Sequence, residues 1–289
     1  MTPTQAERLV AVPVRHPGRW VSGAVVLAGL ATVVMAFARA DIQWSTTRTF
    51  LTFETVVAGA GRTLLISVLA QALGIVLGVV FAVMRQSRNP VTSSVAWLYV
   101  WLFRGTPVLV QLLIWYNLAL VFPTVLGTPT SDLMTPFLAA LLGLGINEGA
   151  YMAEIVRAGI ASVDEGQTEA AQALGMRRGQ LLRRIVLPQA MRVIIPPTGN
   201  EFINMLKTSS LAYTIQYGEL LLSAVGIYTN NLQVIELLFT VSIWYLLLTS
   251  VFSVGQYYLE RRFARGASRT LPPTPWQRVR AGVLGRPRL

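Results

Sequence analysis

Apolar residues in this chain come in long blocks with no regular alternation. The blocks run about Trp20–Ala38, Thr63–Met84, Val95–Phe122, Leu133–Ile160, Thr198–Leu222 and Leu232–Tyr258. A helix needs roughly 20 such residues to cross a bilayer core, so the pattern predicts about six membrane spans. The first block is no signal peptide: its apolar run is too long and no small-residue cleavage site follows. It reads as a retained span at 20–38 behind a basic arm at 1–19. Asp41–Glu54 reads as a mixed external connection, Pro123–Ser131 as a turn-rich external loop, and Ser223–Asn231 as a short outer loop. The third block is too long for one span and is interrupted by Arg104-Gly105-Thr106-Pro107. The part before Arg104, with Trp97, Tyr99 and Trp101, suits the headgroup region as an interfacial elbow; alternatively the stretch is one kinked helix. Pro196-Pro197 is expected to open the fifth span.

Between the fourth and fifth blocks lies EGQTEAAQALGMRRGQLLRRIVLP, Glu165 to Pro188, a stretch that suits a helix but is not apolar enough for a membrane. Ser162 with Glu165 fits a Ser-x-x-Glu capping box. Glu169, Ala170, Ala171, Ala173 and Leu174 favour helix, and Gly175 is placed for a left-handed cap. A second short helix, about Arg178 to Val186, is expected to stop before Pro188. The segment is either a loop helix resting on the headgroups or a docking helix for a cytoplasmic partner.

Charge orients the whole. The net charge is +11, from 24 Lys and Arg against 13 Asp and Glu, and 13% of residues are charged. A soluble domain carries about 25%. The arginines flank the apolar blocks, so they read as topology signals and lipid contacts, not as a nucleic-acid surface. Arg85, Arg88, Arg157, Arg177, Arg178, Arg183, Arg184, Arg192 and the tail arginines fall on one face, against Arg39, Arg48 and Arg62 on the other. Both termini and the Glu165 segment are therefore expected inside. With no cysteine and one histidine, His16, thiolate metal sites and Cys or His catalysis are excluded or nearly so. The single lysine, Lys207, follows Leu206, so no Walker A sequence exists here. No catalytic residue and no metal site is predicted, and this is not an enzyme.

A charge at the centre of a membrane helix costs about 2.5–3.5 kcal/mol on insertion scales, so such groups face a partner or a watery path. Asn200, Asn204 and Lys207 lie at i, i+4 and i+7 on the fifth block, with Glu201 one residue round and Ser209 nearby. They either line a path or make structural hydrogen bonds. Asn147 and Glu148 lie in the inner half of the fourth block; Glu148 meets a cationic substrate group, pairs with Lys207, or holds helices together. Glu154 and Arg157, at i and i+3, read as a structural pair. Arg104, with Gln111 further on, binds a carboxylate or marks a helix break that lets spans pack.

Glu169-Ala170-Ala171, three residues, Gly175, nine residues, then Ile185-x-Leu187-Pro188 resembles the EAA loop of ABC importer membrane subunits. Arg104-Gly105-Thr106-Pro107 with Val110-Gln111, Ala150-Tyr151-x-Ala153-Glu154-Ile155-x-Arg157-x-Gly159, Leu187-Pro188-Gln189-Ala190, and Asn200 through Lys207 to Ser210-Leu211 resemble one branch, the permeases of polar amino acid importers. The likeness covers about Gly61 to Arg261. The first span is extra to the shorter members, and Thr208 stands where many relatives have Asp or Asn. The resemblance implies an all-α polytopic membrane protein of the type I ABC importer transmembrane fold, in the cell membrane of a prokaryote. A permease domain at 55–260 would include a coupling loop at 161–190, followed by a basic tail at 261–289. The coupling helix, with Glu165, Thr168, Glu169, Ala170, Ala171, Leu174 and Gly175, would dock on an ATP-binding subunit dimer. That ATPase, not this chain, would hold ATP and Mg. A solute-binding protein outside and a second permease, identical or similar, would complete the system. Two rivals are a self-contained secondary transporter or channel and a membrane scaffold; the EAA spacing and the polar stripe argue against them.

Overall fold

A computed structural model describes residues 17–263. The basic arm and most of the arginine-rich tail lie outside the described residues. Two units divide the chain, residues 1–44 and 45–289. The first contains α1, Pro17–Arg39, apolar along its length.

The second unit starts within α2, Trp44–Leu51, so the expected connection at 41–54 is partly helical. Thr47 donates to the Glu236 carbonyl (3.2 Å), and the Trp244 indole donates to the Leu51 carbonyl (3.0 Å). Next come α3, Glu54–Arg85, then α4, Pro90–Gly105, and α5, Val108–Tyr116. Asn89 starts α4 by accepting from the Val91 amide at 2.9 Å, with Pro90 in the first helical position, where a missing N–H costs nothing. α4 and α5 meet at 102° across Arg104-Gly105-Thr106-Pro107. They are two helices, not one kinked helix. A small antiparallel hairpin, β1 Thr124–Val125 and β2 Thr128–Pro129, pairs Val125 with Thr128 across Leu126-Gly127. α6, Thr130–Leu133, leads into α7, Pro136–Ala161. α8, Glu165–Ala173, and α9, Arg178–Leu181, form the hydrophilic segment. α10, Leu187–Thr208, α11, Leu220–Asn231, and α12, Val234–Phe263, complete the fold.

α1, α3 and α12 are long and apolar enough to span, and α4 with α5 makes a fourth if the bent pair is one span. α7 and α10 have 26 and 22 residues, enough length, but polar side chains interrupt their apolar surface. α3 and α7 share the most extensive packing. A Cβ on Gly74 would stand 2.5 Å from Glu148 Cγ, and one on Gly78 would stand 2.4 Å from Met152 Cβ. Small residues let membrane helices approach where no hydrophobic effect drives them together. Ile66, Leu112, Leu144, Met205 and Ile215 then join α3, α5, α7, α10 and the turn after α10 into one core. Val56, Ala60, Leu220, Leu237 and Val241 form another between α3, α11 and α12.

Three expected boundaries move. The helix after Arg178 does not stop before Pro188. Leu182–Val186 winds as a wider π turn and runs straight into α10. In α geometry the proline ring would clash with the Arg184 carbonyl, and the wider turn removes that clash. Pro196-Pro197 consequently lies inside α10, where Gln256 of α12 donates to the Pro196 carbonyl at 2.7 Å. The expected fifth span also ends early: Ser209–Ile215 tightens to a 3₁₀ helix, Gln216 is left-handed (φ 61°), and the expected outer loop is mostly α11. The cause is Glu219, buried, whose carboxylate accepts from the Leu221 and Leu222 amides and from the Tyr245 hydroxyl, each at 2.8 Å. It caps a new helix within an apolar run.

Candidate functional site

A cleft of about 850 Å³ opens where the α4–α5 bend meets α7 and α10. Arg104, Asn147, Glu148, Glu201, Asn204 and Lys207 line it, six polar side chains from three helices. Tyr151, not singled out from the sequence as a path residue, joins them, as do Thr208 and Ser210. On α10 the lining face runs through Glu201, Asn204, Met205 and Thr208, an i, i+3, i+4, i+7 stripe, and Leu211 carries it on into the 3₁₀ turn. Of the expected stripe, Asn204 and Lys207 line the cleft together with Glu201. Asn200 is exposed and lies outside the cleft lining, because one residue turns a helix by about 100°. Ser209 also lies outside it, fully buried, with Oγ donating to the Leu206 carbonyl at 2.9 Å.

The bend is held from behind. Gln111 is buried and does not line the cleft. Its amide donates to the carbonyls of Phe103 (3.0 Å) and Thr106 (3.1 Å) and to the Thr106 hydroxyl (2.8 Å). Asn147 adds a bond to the Phe103 carbonyl (2.7 Å) and one to Gln111 Oε1 (3.3 Å). Carbonyls freed by the break are thereby satisfied, which keeps Arg104 at the rim. Its guanidinium sits 5.1 Å from the Tyr151 ring centroid, a cation–π distance.

Glu148 is 5% exposed. Its partner is Gln71 of α3, whose Nε2 donates to Glu148 Oε1 at 3.2 Å. Lys207 forms no salt bridge among the described residues, so of the three roles open to Glu148 the pairing with Lys207 is absent. Gln71 escaped the sequence reading, although an amide in an otherwise apolar block was a usable signal. Glu154 and Arg157 form the expected pair, with N–O distances of 3.1 and 2.7 Å.

α8 stands at the end of α7. Its cap is Asp164, which accepts from the Gly166 amide at 2.9 Å; Ser162 donates instead to the Gly159 carbonyl at 2.7 Å. The expected capping box is thus replaced, because α7 runs on to Ala161 and keeps Ser162 in its own last turn. Gly175 does take a left-handed conformation, φ 74°. Its amide bonds to the Gln172 carbonyl and that of Met176 to Ala171, a Schellman ending. Ala171 is buried against Leu181 and Val186, with Ile160 and Val163 beside them. Glu165, Glu169, Ala170 and Gly175 are exposed, Thr168 is half-buried, and Leu174 is 84% exposed.

Comparisons with known proteins bear on this arrangement. Residues 74–265 match the family model described as "Binding-protein-dependent transport system inner membrane component". The chain is 48% identical over 275 residues to the arginine transport system permease protein ArgU of Corynebacterium glutamicum, covering 92% of this chain and 87% of that one. It is 36% identical over 209 residues to the glutamine transport system permease protein GlnP of Escherichia coli, covering 72% and 92%. A solved amino acid ABC transporter crystallised with histidines aligns at a TM-score of 0.69 and 34% identity, over 77% of this chain and 100% of that one. A methionine ABC transporter, MetNI, aligns at a TM-score of 0.57 and 19% identity, over 72% and 96%, and shares the fold. With a helical bundle, a polar cleft inside it and a hydrophilic helical segment between α7 and α10, this chain belongs to the family of inner membrane components of binding-protein-dependent transport systems, as a permease subunit and not an enzyme.

Proposed function

We propose that this permease carries a polar amino acid, with a cationic one such as arginine the first to test. The cleft supports this reading by gathering Arg104, Lys207, Glu148 and Glu201 around one space. Two cations suit an α-carboxylate; two carboxylates suit an α-ammonium and a cationic side chain. The buried Glu148, held by Gln71, is the group whose charge most needs a positive partner.

Coupling follows from connectivity. α8 joins α7 through three residues, 162–164, and leads through α9 and the π turn into α10. Those two helices carry five of the six polar cleft groups. An ATP-binding subunit seated on Glu165–Gly175 would thus move both walls of the cleft as it closes. ATP and Mg would be bound by that ATPase dimer, a solute-binding protein would deliver the substrate, and a second permease, identical or similar, would close the path.

The test is uptake of labelled amino acids into liposomes holding this chain, its ATPase and its binding protein. Uptake that requires both internal ATP and the binding protein supports the proposal and names the substrate. Uptake by this chain alone under an ion gradient overturns it. Glu169→Lys is expected to leave insertion intact while abolishing ATP-driven uptake, and unchanged uptake would remove α8 from the mechanism.

A further inference from the structure

A second groove, about 540 Å³, runs between α3, α10 and α12. Its walls include Ile75, Ile195, Phe202, Phe252, Leu259 and Phe263. On α10 it occupies a different face from the cleft: Ile195, Gly199 and Phe202 point about a third of a turn away from Glu201, Met205 and Thr208. The polar side chains in its wall are turned inward. Thr198 donates to the Ile194 carbonyl (2.8 Å), Gln256 to the Pro196 carbonyl (2.7 Å) and Glu260 (2.9 Å), and Gln71 to Glu148 (3.2 Å). What the groove offers is therefore mostly hydrocarbon.

Length and charge identify an occupant. From Phe252 to Phe263 the groove follows α12 for about 16 Å at 1.5 Å per residue. That is about half of a 30 Å hydrocarbon core, the depth of one leaflet. At the same end, Arg262 adjoins Phe263, and Arg192 stands one turn before Ile195. Both arginines are exposed, and neither forms a salt bridge among the described residues. They sit on the membrane face to which the arginine bias of the sequence assigns the docking helix.

We propose that this groove binds one anionic phospholipid, an acyl chain lying along α10 and α12 and the phosphate held between Arg192 and Arg262. Gln71 touches both this groove and Glu148 of the cleft, so a bound lipid would support the side chain that holds Glu148 in place.

The experiment uses the full permease–ATPase complex in detergent. Retention of phosphatidylglycerol and of phosphatidylcholine is compared by native mass spectrometry. Phosphatidylglycerol is expected to be retained preferentially, and the double variant R192Q/R262Q to weaken its retention about twenty-fivefold, taking about fivefold for each arginine at an anionic surface. Ile195→Trp, which fills the groove, is expected to reduce both lipids. Excess inorganic phosphate should leave the lipid bound, since the acyl chain contributes. Equal retention of the two lipids, an unchanged R192Q/R262Q complex, or displacement by phosphate alone would overturn the site. Should the variants fail to assemble, the wild-type complex decides: phosphatidylglycerol with a photoreactive acyl chain should label peptides holding Phe202 and Phe252, and labelling confined to other segments refutes the proposal.

Discussion

Gln71 and Glu148 form a pair with unequal consequences of loss. Gln71→Leu removes the donor from a carboxylate that stays buried. The cost of such an orphan is about 1–3 kcal/mol, more if charged. Thermal unfolding of the solubilised complex should therefore fall by several degrees, and uptake should fall with it. A variant as stable and active as wild type would mean that Glu148 finds another donor. Lys207 allows a separate test, because it is the only lysine in 289 residues. An amine-reactive reagent should modify Lys207 in the exposed cleft, and the transported amino acid should slow that reaction. Labelling that is indifferent to substrate would remove Lys207 from the binding surface.

At the scale of the element, α8 matters by its two ends and its exposed side. Gly175 closes it at φ 74°, where a side chain meets its own backbone. Gly175→Ala should cost about 1–2 kcal/mol in local stability, read as faster amide exchange across α8 with little change elsewhere. Leu174→Asp leaves the helix intact and changes only its protruding face. Its expected effect is weaker co-purification of the ATP-binding subunit and unchanged membrane insertion. Full co-purification would put the docking contact elsewhere.

For the whole molecule, a cysteine-free chain makes exposure testable residue by residue. Cysteine at Asn204, an exposed residue lining the cleft, should react with a hydrophilic thiol reagent, whereas cysteine at buried Ser209 should not. In the assembled transporter, the side from which position 204 reacts should switch when the ATPase is trapped with ATP. Reaction from one side only, whatever the nucleotide state, would contradict coupling of α8 to the cleft.

Much of this was legible in the chain itself. Block lengths predicted spans, because a bilayer core sets a fixed apolar length. Arg104-Gly105-Thr106-Pro107 marked a break, and Gly175 marked a helix end, because proline and glycine act locally on the backbone. Cleft residues Arg104, Asn147, Glu148, Glu201, Asn204 and Lys207 were found by the cost of polar groups in apolar blocks. Tertiary structure decided the rest. Glu219, a local helix cap, could be buried there because Tyr245 of α12 supplies a further donor to its carboxylate. Pro188 and Pro196-Pro197 stayed within one helix, the first directly after a π turn and the pair where Gln256 of α12 bonds the Pro196 carbonyl. Which of Asn200 and Glu201 faces the cleft was settled by the rotation of α10 against α7, a matter of packing that no single-helix periodicity contains. Gln71 acquired its role from the close approach of α3 to α7 at Gly74, which sets it against a carboxylate distant in sequence.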